Sequence, residues 1–265
     1  MAPAAPAAGG LIFFTHGLCP YAQRVALTLN WKGIDHKVYE LDLSNKPSWY
    51  RQRLGTSLVP AIEIDGTPHC ESLDIVKLCD KQYAAPEHKP LMPSDAEKAK
   101  AVNALVSFAS RLESAGWNLL GGAWNFPSKG GQPSASTVKN WAAAVDVLTA
   151  SLDKWGGPYL VGNTPTMADA ALAPFLARFE LSALQCRGGY DVRAESPKLG
   201  EYLSTLDADA SWQKTYPDRK KFGDAIARFG LGAGQVQNRN PSSGTSMGKR
   251  PAETLEHRGF PRLNR

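Results

Sequence analysis

Residues 11–24 read LIFFTHGLCPYAQR, and three signals in this stretch decide the fold. Leu11 to Phe14 is a short apolar run suited to a buried strand, whereas Ala22, Val25, Ala26 and Leu29 recur at helical spacing until Gly33 stops them. Between the two, Cys19-Pro20 opens the helix. Proline is favoured at that first position because its missing N–H would be unpaired there anyway. The chain therefore starts as strand then helix, with a thiol at the junction.

Working outward, Tyr39, Leu41 and Leu43 alternate as a second strand, and Pro47 to Leu54 predicts a short helix. Ala61 to Ile64 reads as a third strand, and Asp65-Gly66 gives a hairpin turn into a fourth that ends near Cys70. Ser72 is expected to cap a helix over Leu73 to Cys79. The order βαβ, α, ββα predicts a parallel pair joined by a crossover helix, with an antiparallel hairpin added. This is the thioredoxin-like arrangement, assigned to residues 11–80. Pro86, Pro90 and Pro93 fit neither helix nor central strand, so residues 81–93 are read as a linker.

The following residues, 94–216, carry helical signals and predict a second, all-α domain. Ser94 with Glu97 reads as a capping box opening a long helix towards Gly116. The glycine-rich stretch 119–135, with Trp124 and Phe126, reads as a loop. Val138, Trp141, Val145, Leu148, Leu152 and Trp155 mark a helix ended by Gly156-Gly157. Thr166 with Asp169 caps another, and because Ala170 to Ala177 is apolar all round, that helix is expected to be central. Pro197 to Leu206 and Ser211 to Tyr216 predict two shorter ones. Residues 1–10 are expected to be a disordered leader without the features of a secretory signal. Residues 217–265 are expected to be a C-terminal extension, largely disordered and basic.

Composition bounds the function. Hydrophobic residues make up 43% and charged residues 21%, ordinary for a globular chain. No window approaches the ~18 to 20 apolar residues of a membrane span, so no membrane role is expected. Of the formal charge of +5, six Lys or Arg and two acids between Ala233 and Arg265 supply +4. The basic balance thus describes the tail. With Phe260 its one aromatic residue and its charges scattered, the tail supports neither base stacking nor a phosphate track, and no nucleic-acid partner is expected. The cysteines at 19, 70, 79 and 186 lack the paired spacing of a zinc site and make a poor disulfide framework. No metal and a reducing, cytoplasmic setting are expected.

Cys19 meets the unpaired N–H groups and positive dipole end of its helix, both of which favour thiolate over thiol. Such positions lower a cysteine pKa to roughly 3.5 to 7.5. Position 22 is alanine, so no resolving thiol is adjacent, and a mixed disulfide must pass to an outside thiol, of which glutathione is the abundant intracellular choice. Val59-Pro60 precedes a strand. A cis bond would turn the Val59 backbone towards an extended peptide, and a trans proline opening the strand fits the dipeptide equally well. Ser72 suits either a helix cap or a carboxylate ligand, Lys46 alone reads as a solvated lysine, and Thr15 and His16 receive no role.

Taken jointly, Cys19-Pro20-Tyr21-Ala22-Gln23-Arg24, Asn45-Lys46-Pro47 with Trp49, Leu58-Val59-Pro60 and Glu71-Ser72 resemble the cysteine-type glutathione transferases of the omega and lambda classes. The likeness continues through Gly162-Asn163, Thr166, Met167, Asp169, Pro174, Phe175, Arg178 and Phe179. It implies the glutathione transferase fold, with Cys19 as the nucleophile that forms a mixed disulfide with glutathione. It implies glutathione binding by Pro20, Tyr21, Lys46, Val59, a cis Pro60, Glu71 and Ser72. The implied activities are thiol transfer, deglutathionylation and dehydroascorbate reduction more than conjugation. Glutathione is the implied cosubstrate, and the acceptor a small disulfide, glutathionylated or electrophilic molecule held between the domains. Phe108, Trp117 and Trp124 are candidate lining residues, with core packing the favoured reading of the first two. Leu58 follows the omega pattern where lambda members usually have lysine, and Tyr21 stands where the family usually has phenylalanine. The class, and the choice between monomer and homodimer, stay open. The alternative is a non-catalytic assembly module of the same fold. Retention of Cys19 with Lys46 and the Glu71-Ser72 pair argues against it.

Overall fold

The first strand, β1 (Leu11–Thr15), is buried along its whole length, which is why its sequence is apolar without alternation. Leu11 and Phe13 face Ala22, Val25, Leu29, Ile75 and Cys79, while Ile12 and Phe14 face Leu41, Tyr50, Leu54 and Ala61. Helices α1 (Pro20–Lys32) and α3 (Ser72–Gln82) thus cover one face of the sheet, and α2 (Ser48–Leu54) covers the other. The sheet order is β2-β1-β3-β4. β2 (Lys37–Glu40) runs parallel to β1, and β3 (Ala61–Ile64) and β4 (Thr67–Cys70) form the antiparallel hairpin. The computed structural model describes residues 5–84, 86–121, 132–217, 220 and 222–224. The expectations for residues 1–4, for Trp124 and Phe126, and for the extension beyond Asp224 lie outside the described residues.

Asp65 and Gly66 both take positive φ, 48° and 86°, the backbone a two-residue hairpin turn requires. Glu63 is a buried carboxylate within β3. It is matched by Arg53 of α2, whose Nε and Nη2 each donate to it at 2.6 Å. The second strand departs from expectation. Tyr39, Leu41 and Leu43 were expected to alternate along it, but β2 ends at Glu40 and Leu43 is exposed. The Asp42 carboxylate accepts from the Ser44 N–H at 2.9 Å and its hydroxyl at 2.6 Å, turning the chain before Leu43.

The second half of the chain is helical: α4 (Ala96–Leu119), α5 (Ala135–Trp155), α6 (Met167–Cys186), α7 (Val192–Glu195), α8 (Pro197–Ala208) and α9 (Ala210–Thr215). Helix α6 is its buried axis and packs against α4 and, across to the sheet unit, against α1. The capping box is as expected from the sequence: Asp169 accepts from the Thr166 N–H and hydroxyl, both at 2.8 Å. Its other oxygen accepts from the Leu160 N–H and the Tyr202 hydroxyl, both at 3.0 Å. The start of α4 differs. Asp95, not Ser94, is its cap and accepts from the Lys98 N–H at 2.8 Å. Nor does Gly116 end α4, which continues to Leu119. A Cβ at Gly116 would lie 2.1 Å from the Phe179 ring, so this glycine admits an aromatic of α6 within the helix. Helix α7 was not expected.

Polar ties join the halves. Asp80 at the end of α3 pairs with Lys32 at 2.7 Å and accepts from the N–H groups of Leu91 and Met92 at 2.8 and 3.1 Å. The Trp31 indole donates to Asp209, the cap of α9, at 3.0 Å. The result is a thioredoxin-like sheet unit followed by an all-helical unit, the architecture expected from the sequence. Among the described residues no helix is long and apolar enough to cross a membrane.

Candidate active site

Cys19 is the N-cap of α1, in extended conformation, with Pro20 following at the first helical position. Its N–H donates to the His16 carbonyl at 2.9 Å and its carbonyl accepts from the Gln23 N–H at 3.1 Å, so a tight turn feeds directly into the helix. The thiol is directed towards the Val59 carbonyl, 3.8 Å away, and the Val59–Pro60 peptide is cis.

Of the eight residues singled out in the sequence, seven line one cleft of about 320 Å³: Cys19, Tyr21, Lys46, Val59, Pro60, Glu71 and Ser72. Pro20 is buried in the first turn and lies outside that lining. The cleft is at the small end of the usual ~300 to 1,000 Å³ range for ligand sites. Lys46 spans its mouth and donates to the Ser57 carbonyl at 2.8 Å, while the Tyr50 hydroxyl holds the Leu58 carbonyl at 2.7 Å. Glu71 has φ +66°, a left-handed conformation uncommon outside glycine, and caps α3 without a side-chain hydrogen bond. The first N–H groups of that helix therefore lack a side-chain acceptor from the cap. Ser72 is the first residue of α3 and not its cap. Its hydroxyl oxygen accepts from Arg24 Nη1 at 3.3 Å, which leaves its proton free to donate.

Burial pushes the Cys19 thiol up from its ordinary value. The N–H groups of Ala22 and Tyr21 and the charges of Arg178 and Arg24 oppose that rise without cancelling it. The lowered pKa expected from the helix terminus is thus reversed, because burial, which sequence order does not reveal, outweighs the helix terminus. Cys70 also lines the cleft. Its S–H donates to the Leu54 carbonyl at 3.4 Å, and burial, then Glu71, push it up as well.

Three charged residues complete the site: Arg24 and Arg178, which belong to the resemblance but carry no assigned role in it, and Glu113, which the sequence did not mark. Arg24, buried one turn into α1, pairs with Glu113 of α4 at 2.6 Å and donates to the Ala171 carbonyl of α6 at 2.9 Å. The Tyr21 hydroxyl, which the family's usual phenylalanine would lack, donates to Glu113 at 2.9 Å. Burial and, secondarily, Glu113 hold this phenol well above its ordinary range. Arg178 of α6 reaches the Leu18 carbonyl at 3.0 Å, immediately before Cys19. The signal for Arg178 was present in the sequence: it is a cation inside a helix expected to be buried all round.

Phe108 and Trp117 pack against the helical core and lie outside the cleft lining, and Trp117 meets Phe179 edge-on at 5.1 Å. A larger hollow of about 620 Å³ lies between α1, β2 and α9 but has no thiol in its lining. Among the described residues no cluster of His, Cys, Asp or Glu could hold a metal ion.

The architecture is that of a two-unit protein, a thioredoxin-like unit with a helix-terminal cysteine beside a cis-proline joined to an all-helical unit. Profiles of known families identify it further: the glutathione S-transferase N-terminal domain matches residues 13–87, and the glutathione S-transferase C-terminal domain matches residues 132–204. The chain is 31% identical over 219 residues to glutathione S-transferase L3 of Arabidopsis thaliana, covering 81% of this chain and 86% of that one. To glutathione S-transferase L2, chloroplastic, of the same plant, it is 28% identical over 214 residues, 79% of this chain and 67% of that one. The crystal structure of glutathione transferase Omega 1C from Trametes versicolor superposes with a TM-score of 0.70 at 25% identity, covering 83% of this chain and 97% of that one. The chain belongs to the glutathione transferase family, and its relatives include members of the lambda and omega groups that its sequence resembles.

Proposed function

We propose that this protein is a glutathione-dependent thiol transferase and reductase that works through a mixed disulfide on Cys19. The observation that carries the reading is the placement of the thiol in one cleft with Lys46, Val59, Glu71 and Ser72, the set suited to an extended tripeptide with a carboxylate at each end and an ammonium at one. In the first step the Cys19 thiolate attacks the glutathione sulfur of a glutathionylated substrate. The substrate's S–S bond breaks, its thiolate leaves and takes a proton from solvent, and Cys19 is left joined to glutathione. A second glutathione thiolate then attacks the glutathione sulfur of that adduct, releasing oxidised glutathione and the Cys19 thiolate. Two electrons reach the substrate; Ala22 places no second thiol in the first turn of α1, and the Cys70 thiol of the same cleft donates to the Leu54 carbonyl at 3.4 Å and is pushed up by burial.

In this reading residues 11–80 hold glutathione, 81–93 link, and 94–216 contribute the acceptor side of the cleft. Among the described residues the four cysteines are free, which supports a reducing compartment, here taken as the cytoplasm. Intact mass after incubation with oxidised glutathione tests the reading. The expected result is one added glutathionyl group on Cys19, with Cys19→Ser losing both the adduct and mixed-disulfide reduction while staying folded. No adduct on the wild type would favour the non-catalytic assembly module instead.

A further inference from the structure

The Cys19 turn is gripped from the helical unit by a buried cation that lacks an anionic partner. Arg178 is only 4% exposed. Its Nε donates to the Leu18 carbonyl at 3.0 Å, Nη2 to the Gly17 carbonyl at 3.5 Å, and Nη1 to the Pro174 carbonyl at 2.8 Å and to the Gln23 side chain. The guanidinium also lies 5.7 Å from the Tyr216 ring and 5.6 Å from the Phe222 ring. Every acceptor is neutral, and among the described residues no carboxylate pairs with it. Arg24, by contrast, has Glu113. A buried charge normally requires an opposite charge or leaves the interior.

Resting on the reading of Cys19 as the nucleophile, we propose that Arg178 is the positioning residue of this site: it fixes the Gly17-Leu18 turn and supplies the counter-charge for the Cys19 thiolate. The other groups that bear on this sulfur are Arg24 and Tyr21 on α1, with Glu113 behind them on α4; His16, in the same turn, accepts from the Leu18 N–H through Nδ1 at 3.3 Å. Glu113 is already occupied by Arg24 and Tyr21, so Arg178 is the cation whose charge is not offset nearby. Burial lowers the Arg178 pKa to about 10, with Tyr216 and Cys19 opposing, so it stays protonated at neutral pH. Ionisation of Cys19 would convert an unbalanced buried cation into an ion pair.

The test is the rate of iodoacetamide alkylation at Cys19, read by mass spectrometry across pH, in the wild type, Arg178→Gln and Arg178→Lys. Glutamine keeps a donor without the charge; lysine keeps the charge without the fork. Loss of an opposite charge raises a thiol pKa by about one unit or more. A tenfold smaller thiolate fraction, partly offset by greater nucleophilicity, should slow R178Q about threefold near neutral pH. The deficit should narrow as pH rises, and R178K should follow the wild-type profile. A purely structural role would slow R178Q by the same factor at every pH, or slow R178K equally, and either result would overturn the proposal. Should R178Q not fold by circular dichroism, R178K decides the matter through its profile alone, since a displaced profile counts against the charge. Wild-type Cys19 that takes no glutathione would sink the underlying reading, whereas a reactive Cys19 indifferent to Arg178 would sink only this one.

Discussion

Removing either partner of the Arg24–Glu113 pair should destabilise the protein strongly, and unequally. Breaking a buried ion pair from one side costs about 3–5 kcal/mol, because the remaining charge is left without compensation. The two ends differ in access to water: the Arg24 side chain is 3% exposed and that of Glu113 17%. Arg24→Met strands the better-hydrated glutamate and should cost about 3 kcal/mol; Glu113→Gln strands the buried guanidinium and should cost nearer 4 kcal/mol. For a domain of this size each kcal/mol lowers the melting temperature by ~2–4 °C, so R24M should melt ~6–12 °C below wild type and E113Q lower still. The double variant R24M/E113L replaces the pair by apolar side chains and should recover at least half of the summed loss. Thermal melts by circular dichroism provide the measurement. E113Q melting within about 2 °C of wild type, or a double variant losing the full sum, would show that the pair does not bind α4 to α1 as described.

Lys46→Ala and Ser72→Ala should each weaken glutathione binding by about 1.5–3 kcal/mol in calorimetric titration, the range for hydrogen bonds to charged groups; unchanged affinity in both would move the tripeptide elsewhere. Gly116→Ala places a methyl group 2.1 Å from the Phe179 ring and should cost about 1–3 kcal/mol in urea unfolding, with relief from a concurrent Phe179→Leu; a neutral G116A would contradict the packing of α4 on α6. Thiolate is the reactive form and burial raises its pKa, so the wild-type alkylation rate at Cys19 should still be climbing above pH ~8.5, the value of a free thiol. A plateau reached by pH 7 would mean that the helix terminus outweighs the burial.

The sheet unit was legible because its signals are local. An apolar run, a helix opened by proline and closed by glycine, and Asp65-Gly66 each state their conformation within a few residues. The fold expectations that failed did so for two reasons: a nonlocal contact at Gly116, and a competing local hydrogen bond at Asp95 and at Asp42. Gly116 read as a stop and is instead the gap that receives Phe179. Ser94 offered a plausible cap, but the adjacent Asp95 took the position. The cleft residues were legible through the spacing of the resemblance, whereas Arg24 and Arg178 stood in it without a role and Glu113 did not stand out at all. Charged side chains default to solvent, and only the tertiary fold reveals which are enclosed. The Cys19 titration was misjudged for the same reason: a dipole can be read from sequence order and burial cannot.

The Leu18 carbonyl and the arginine that holds it are separated by 160 residues. A ribosome adding ~5–20 residues per second needs roughly 8 to 32 s to make the second after the first. Throughout that interval the nascent sheet unit carries its sulfur without Arg178, although Glu113 is made before the interval ends. The thiol-bearing turn is therefore finished by the most distal part of the site, and a chain truncated before α6 would present the cysteine without the cation that balances it.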